Sequence, residues 1–137
     1  MKLRDIITEQ VDSTRPTATL VEAAKLMMTS DRGWLPVTEG GKVVGVITDR
    51  DIAVRGVGGG LDPKSTQVEA IMSRDVLACS LDDDIDDACK TMEEEQVRRL
   101  VVVDENENLV GVVSLADLAE RDEEESGEVL KKVTEPS

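Results

Sequence analysis

Two short motifs hold the residues best suited to chemistry. Thr48 is followed three places later by Asp51, and Ser114 by Asp117, each pair lying where an apolar run gives way to a helical pattern. An ionised aspartate one turn into a helix is an acceptor-only group suited to the two hydroxyls of a ribose. The free N–H groups and positive dipole end of the helix start favour a phosphate beside it. The same spacing has a plainer meaning. Ser or Thr at an N-cap with an acid three residues on is a capping box, which contributes about 1 kcal/mol to a helix and needs no ligand. A third element is the pair Arg98 and Arg99 at the start of a predicted strand. Successive strand residues face opposite sides, so at most one of the two aims directly into a given pocket. The alternative for this pair is surface ion pairing with the glutamates at 93–95.

Composition restricts what these residues can serve. The chain has 137 residues with 30 Asp and Glu against 16 Lys and Arg, a net charge of −14. Nucleic acid and anionic membrane would be repelled over most of such a surface, so neither is expected as a partner, and an anionic ligand needs a local basic pocket. With no histidine the usual proton shuttle and the commonest transition-metal ligand are missing, which argues against an enzyme and against a metal site. Cys79 and Cys89 fall in a buried strand and on the apolar face of a helix. With no signal peptide and no apolar run of about 18 residues, the expectation is a reduced cytoplasmic protein with two packed thiols.

The elements that must position the motifs are written twice. Residues 20–27 (LVEAAKLM) line up with 85–92 (IDDACKTM) at an offset of 65 residues, and 35–37 (LPV) falls on 100–102 (LVV). After one extra residue, 45–53 (GVITDRDIA) falls on 111–119 (GVVSLADLA). Each unit alone is too short to bury a sizeable core, so two must pack together. The first repeat, 1–57, is expected to open with a helical turn over 3–7 and a weak strand over 11–14. A helix over 20–30 follows, started by a capping box of Thr19 and Glu22, with Leu20, Ala23, Ala24 and Met27 on its apolar face. Strands over 34–37 and 42–47 flank the turn at Glu39, Gly40 and Gly41, and a second helix runs from Thr48 to about Arg55, ended by Gly56. A linker, 58–65, carries three glycines and the Asp62-Pro63 pair.

The second repeat, 66–121, follows the same plan. A lead-in helix over 66–72 and a strand over 76–79 precede a helix over 85–95 capped by Asp84, with Asp87 at its third position. Strands over 99–103 and 109–113 and a helix from Ser114 complete it. The continuous apolar runs 101–103 and 110–113 suit strands covered on both faces. Residues 122–137 read as an acidic C-terminal tail with a last docked turn at 129–133. The fold class is α/β (α+β), two β-α-β-β-α repeats.

From residue 3 to 121 the chain resembles a tandem pair of CBS domains, the Bateman module. Residues 96–118 (QVRRLVVVDENENLVGVVSLADL) are similar to the last CBS repeat of the gamma subunit of AMP-activated protein kinase. Residues 48–63 (TDRDIAVRGVGGGLDP) are similar to free-standing bacterial CBS-pair proteins of the hypoxic-response type. The resemblance implies repeats related by a pseudo-twofold axis, a homodimer with Ile52, Ala53, Leu118 and Ala119 at its seam, and regulatory binding of AMP, ADP, ATP or a related adenine nucleotide in clefts between the repeats. It lends the ribose role to Asp117 and Asp51, the hydroxyl role to Ser114 and Thr48, and the phosphate role to Arg99 and Arg98. Adenine walls would come from Thr8, Val11 and Trp34 for the Asp117 cleft, and from Ser73, Val76 and Val97 for the Asp51 cleft. It implies no catalytic residue and no required cofactor, and an effector protein on a separate chain.

Departures from the family pattern are informative. Arg98 stands where the kinase repeat has histidine and Ala116 where it has serine. In the first repeat the arginine positions hold Gly33 and Trp34, which leaves any phosphate clamp there to Arg50, Arg55, Lys64 or Arg74. The alternative function is a structural or protein-interaction domain in which both motifs are helix caps and no nucleotide binds.

Overall fold

The helices predicted from the caps Thr19 and Asp84 form over the expected residues. The structure is a computed structural model that describes residues 1–7 and 11–116. In the unit Asp12–Val76, helix α1 (Leu20–Ser30) starts at Thr19, whose hydroxyl oxygen accepts the Glu22 N–H at 3.2 Å and lies 3.3 Å from Glu22 Oε1. It ends at Asp31, which takes the left-handed conformation (φ 54°) and donates its N–H to the Met27 carbonyl. Leu20, Ala23 and Met27 are buried against Leu35, Val37 and Ile47. Ala24 is exposed instead, and the half-buried Leu26 completes the apolar stripe.

Strands β1 (Trp34–Glu39) and β2 (Lys42–Thr48) form the antiparallel hairpin, with Gly40 and Gly41 at positive φ in its turn. The expected strand over 11–14 contributes only Thr14, bridged parallel to Val37 by its N–H to the Pro36 carbonyl (3.0 Å) and its own carbonyl to the Thr38 N–H (2.9 Å). Gly56 does not end the following helix. Asp51–Val57 is wound as a π-helix and the chain continues past Gly56, with Gly58 N–H on Ala53 carbonyl and Leu61 N–H on Gly56 carbonyl. Gly56 is buried, and Leu20 Cδ1 comes within 3.0 Å of where a Cβ would stand. The left-handed turn falls at Gly60 (φ 76°).

The unit Met1–Val11 with Leu77–Ser137 repeats the plan more fully. Strand β3 (Ala78–Ser80) runs parallel to β4 (Arg99–Val103), which pairs antiparallel with β5 (Leu109–Ser114). Helix α2 (Ile85–Glu95) joins β3 to β4 and buries Ala88, Cys89 and Met92 against Leu100, Val102 and Val113. Its cap, Asp84, accepts from the Asp86 N–H at 3.0 Å, one residue earlier than expected, and it ends at the left-handed Gln96. Leu100, Val101 and Val102 are all buried, as a strand covered on both faces requires. Cys79 and Cys89 are both buried, and burial, with the charge of Asp83 adding to it, pushes the Cys79 thiol up to about 11.

The lead-in of each repeat packs in the unit that holds the rest of the other repeat. Each is a single 3₁₀ turn, Leu3–Asp5 and Val68–Ala70, where longer helical segments were expected. Leu3 is fully buried with Cys79, Met92 and Leu100, its N–H on the Asp83 carbonyl (2.9 Å) and the Arg4 N–H on Leu81 (3.1 Å). Val68 is fully buried with Leu20 and Ile47, its N–H on the Ala18 carbonyl (2.7 Å) and the Glu69 N–H on Pro16 (3.0 Å). The two sets of bonds match at the 65-residue offset. Arg4 also pairs with Asp82, with Lys2 3.9 Å from the same carboxylate.

Candidate functional site

Each hairpin brings its motif hydroxyl to one end of the strand pair. Trp34 stands opposite Thr48 on β1 and β2, and Arg99 opposite Ser114 on β4 and β5. The rung beyond is also repeated: the Asp49 N–H donates to the Gly33 carbonyl and the Leu115 N–H to the Arg98 carbonyl, both at 2.8 Å. One backbone frame therefore carries two different sets of side chains. Thr48 and Asp51 form a reciprocal cap, with the Thr48 N–H on Asp51 Oδ2 and the Asp51 N–H on Thr48 Oγ1, both at 3.0 Å. Thr48, Asp51 and Ser114 are half-buried. Asp117 and Thr8 lie outside the described residues, as do Leu118, Ala119 and the tail 122–137.

The basic residues divide by what they already hold. Arg98 and Arg99 are exposed, and among the described residues the ion pairs are those of Lys2 and Arg4 with Asp82, so the surface pairing of the two arginines with 93–95 is not formed there. Arg55 is spent on the lead-in, its Nη1 donating to the Ile71 carbonyl at 3.1 Å. Arg50, Lys64 and Arg74 are exposed.

Of the expected wall residues, Val11, Trp34, Ser73, Val76 and Val97 are half-buried. Ser73 is tied to Val46 by two backbone bonds of 2.9 Å, so Ser73, Val76, Trp34, Thr48 and Asp51 share one unit. Val11, Val97, Arg98, Arg99 and Ser114 share the other. Val97 thus belongs to a different unit from Asp51, whose ligand it was expected to wall. One residue the motifs did not single out is Asp49. Its carboxylate lies over Gly33, with Cγ 2.8 Å from the place a Cβ would occupy, and its Oδ1 accepts the Arg50 N–H at 2.8 Å. The signal for it was the repeat alignment itself, which sets Asp49 against Leu115 and Gly33 against Arg98.

Among the described residues no group of three or more acidic or cysteine side chains is arranged to hold a metal ion, and no helix is long and apolar enough to cross a membrane. The profile of the CBS domain family matches twice, over residues 3–57 and 68–124. The chain is 39% identical over 134 residues to the CBS domain-containing protein YhcV of Bacillus subtilis, covering 96% of this chain and 94% of that protein. A crystal structure of Hypoxic Response Protein I with two coordinated zinc ions superposes with a TM-score of 0.78 at 35% identity, over 88% of this chain and 98% of the other. The CBS domain pair of protein MJ0100, solved with 5-methylthioadenosine and S-adenosyl-L-methionine, superposes with a TM-score of 0.80 at 25% identity, over 92% of this chain and 98% of the other. Two matched repeats, each built on a hairpin with a hydroxyl residue at its end, make this chain a member of the CBS domain family in the form of a tandem pair.

Proposed function

We propose that the chain is a regulatory module, not an enzyme, that binds an adenosine-type ligand, with AMP, ADP or ATP as the nucleotides to test first, and signals to a separate protein partner. The observation that carries this reading is Arg99. An exposed guanidinium without an ion-pair partner among the described residues stands directly across from Ser114, with Arg98 beside it, in a chain whose net charge is −14. Such a local reversal of charge serves an anion better than it serves the fold, because exposed arginines add little stability. The adenosine compounds named with MJ0100 support the choice of ligand class. In this reading Asp117 and Asp51 take the ribose, Ser114 and Thr48 lie beside it, Arg99 and Arg98 meet the phosphate, and Thr8, Val11, Trp34, Ser73, Val76 and Val97 wall the base.

Calorimetry on the wild type and on Arg99→Ala tests it. A hydrogen bond to a charged phosphate contributes roughly 1.5 to 3 kcal/mol and each 1.4 kcal/mol is about tenfold in affinity. Arg99→Ala should therefore weaken AMP about ten- to a hundredfold and leave adenosine within about threefold. The absence of heat from every nucleotide and nucleoside would refute the reading.

The second reading, a structural or protein-interaction domain, is favoured by one specific observation: the Thr48 and Asp51 cap is complete without a ligand. It predicts that no adenine compound binds. We also propose a cytoplasmic C₂ homodimer whose seam includes Ile52 and Ala53, near the exposed Val54 and Val57. A monomeric mass by light scattering at micromolar concentration would remove that assignment.

A further inference from the structure

Asp49 sits at the corner where β2 ends, and there the backbone donors are already used. The N–H of Thr48 goes to Asp51 Oδ2, that of Asp49 to the Gly33 carbonyl, that of Arg50 to Asp49 Oδ1, and that of Asp51 to Thr48 Oγ1. Four consecutive amides that a phosphate would need are satisfied within the chain. Two carboxylates, Asp49 and Asp51, stand among them. The Asp49 carboxylate lies in the space where a side chain at position 33 would start, whereas the matching position carries the exposed Arg98. The equivalent rung in the other unit joins Leu115 to Arg98. The matching rungs therefore carry the anion Asp49 in one repeat and the cation Arg98 in the other.

We propose that Asp49 is a specificity-determining residue, which makes the corner of Thr48 and Asp51 accept an uncharged adenosine-type ligand and reject a phosphorylated one; this rests on the adenosine reading given above. A phosphate brought to this corner meets two carboxylates, Asp49 and Asp51, against the single cation Arg50, and finds the amides of residues 48–51 already bonded. A nucleoside brings only hydroxyls and a base, which need an acceptor and an apolar face, and Asp51 and Trp34 provide these within one unit.

The test uses Trp34, the one aromatic residue of the chain, whose register opposite Thr48 makes its emission a local reporter. In the wild type the event that Trp34 reports should be about tenfold tighter for adenosine than for AMP. Asp49→Asn keeps an oxygen to accept the Arg50 N–H and removes the charge, so it should tighten AMP about tenfold and leave adenosine unchanged. In the wild type the preference should also shrink at about 0.5 M salt, where screening is within a few ångströms. The double variant Gly33→Arg with Asp49→Leu, which copies the other repeat, should reverse the preference. An adenosine-to-AMP ratio that stays within twofold of wild type in Asp49→Asn overturns the role of Asp49 while leaving the adenosine reading intact. Heat of binding with no Trp34 response places the ligand away from this corner and overturns it equally. If neither compound gives heat nor shifts Trp34 emission, the adenosine reading itself fails and this role falls with it.

Discussion

Replacing Leu3 with alanine should loosen the half of the protein that is most distant from it in sequence. Leu3 is fully buried in the cluster of Cys79, Ala88, Cys89, Met92, Leu100 and Val113, all of them at least 76 residues further along the chain. The substitution removes three carbons, about 2.4 kcal/mol at roughly 0.8 kcal/mol per buried methylene. The unfilled cavity brings the expected loss to about 3 to 4 kcal/mol, within the range for buried Leu→Ala changes. The loss should appear in amide exchange as reduced protection of β3, α2, β4 and β5, with α1, β1 and β2 affected less. Val68→Ala is the mirror experiment. Val68 is fully buried with Leu20, Leu35 and Ile47, so its loss should fall on α1, β1 and β2. The reasoning is refuted if Leu3→Ala costs under 1 kcal/mol in urea denaturation, or if its loss of protection falls first on residues 12–76.

Three further outcomes follow from the same structure. Because the Cys79 thiol titrates near 11 in the fold against about 9 when unfolded, the fold favours the neutral form; stability should hold below about pH 9 and fall as the pH rises toward 11, a loss that Cys79→Ala should abolish in pH-dependent denaturation. The hydrogen bond and charge of Arg4 hold the Asp82 carboxyl below the usual carboxylate range, so its contribution should be present above about pH 4 and disappear as the pH falls through its lowered value, and an NMR titration of Asp82 in Arg4→Ala should return to the ordinary midpoint. Finally, the proposed phosphate clamp belongs to the repeat of Arg99, so Asp117→Ala should remove the tightest AMP binding event in calorimetry and Asp51→Ala should leave it; the opposite result would assign the clamp to the wrong half.

The parts of the fold legible in the sequence are those fixed by local chemistry. Thr19 and Glu22 mark the start of α1 and Asp84 the start of α2, and the strands of both hairpins follow their apolar runs. What escaped depends on partners remote in sequence. The lead-ins around Leu3 and Val68 are three-residue 3₁₀ turns, too short to form alone, and carbonyls of Asp83 and Ala18 define them. The exposure of Ala24 and the passage of the helix through Gly56 are likewise set by packing, since Leu20 needs the space a side chain at 56 would fill. The role of Asp49 was hidden for another reason. A motif defined by Thr48 and Asp51 treats the two residues between them as spacers, whereas the structure turns the Asp49 side chain back onto Gly33.

Capping and binding, the two meanings of the Thr48 and Asp51 spacing, are compatible rather than exclusive. The reciprocal cap engages one oxygen of Asp51, Oδ2, and a carboxylate offers about four lone-pair sites, so the cap leaves acceptor capacity for a ribose hydroxyl. The cap also fixes where that carboxylate stands, bonded to Thr48, whose partner across the hairpin is Trp34, before any ligand arrives. A ligand then meets a rigid acceptor whose ordering has already been offset by the helix it starts, which is how preorganisation lowers the entropic cost of binding. On this view the repeated hydroxyl-to-aspartate spacing supplies one frame at both hairpin ends, and the identity of the ligand is decided by the side chains one rung further out: Gly33 with Asp49 in one repeat, Arg98 with Leu115 in the other.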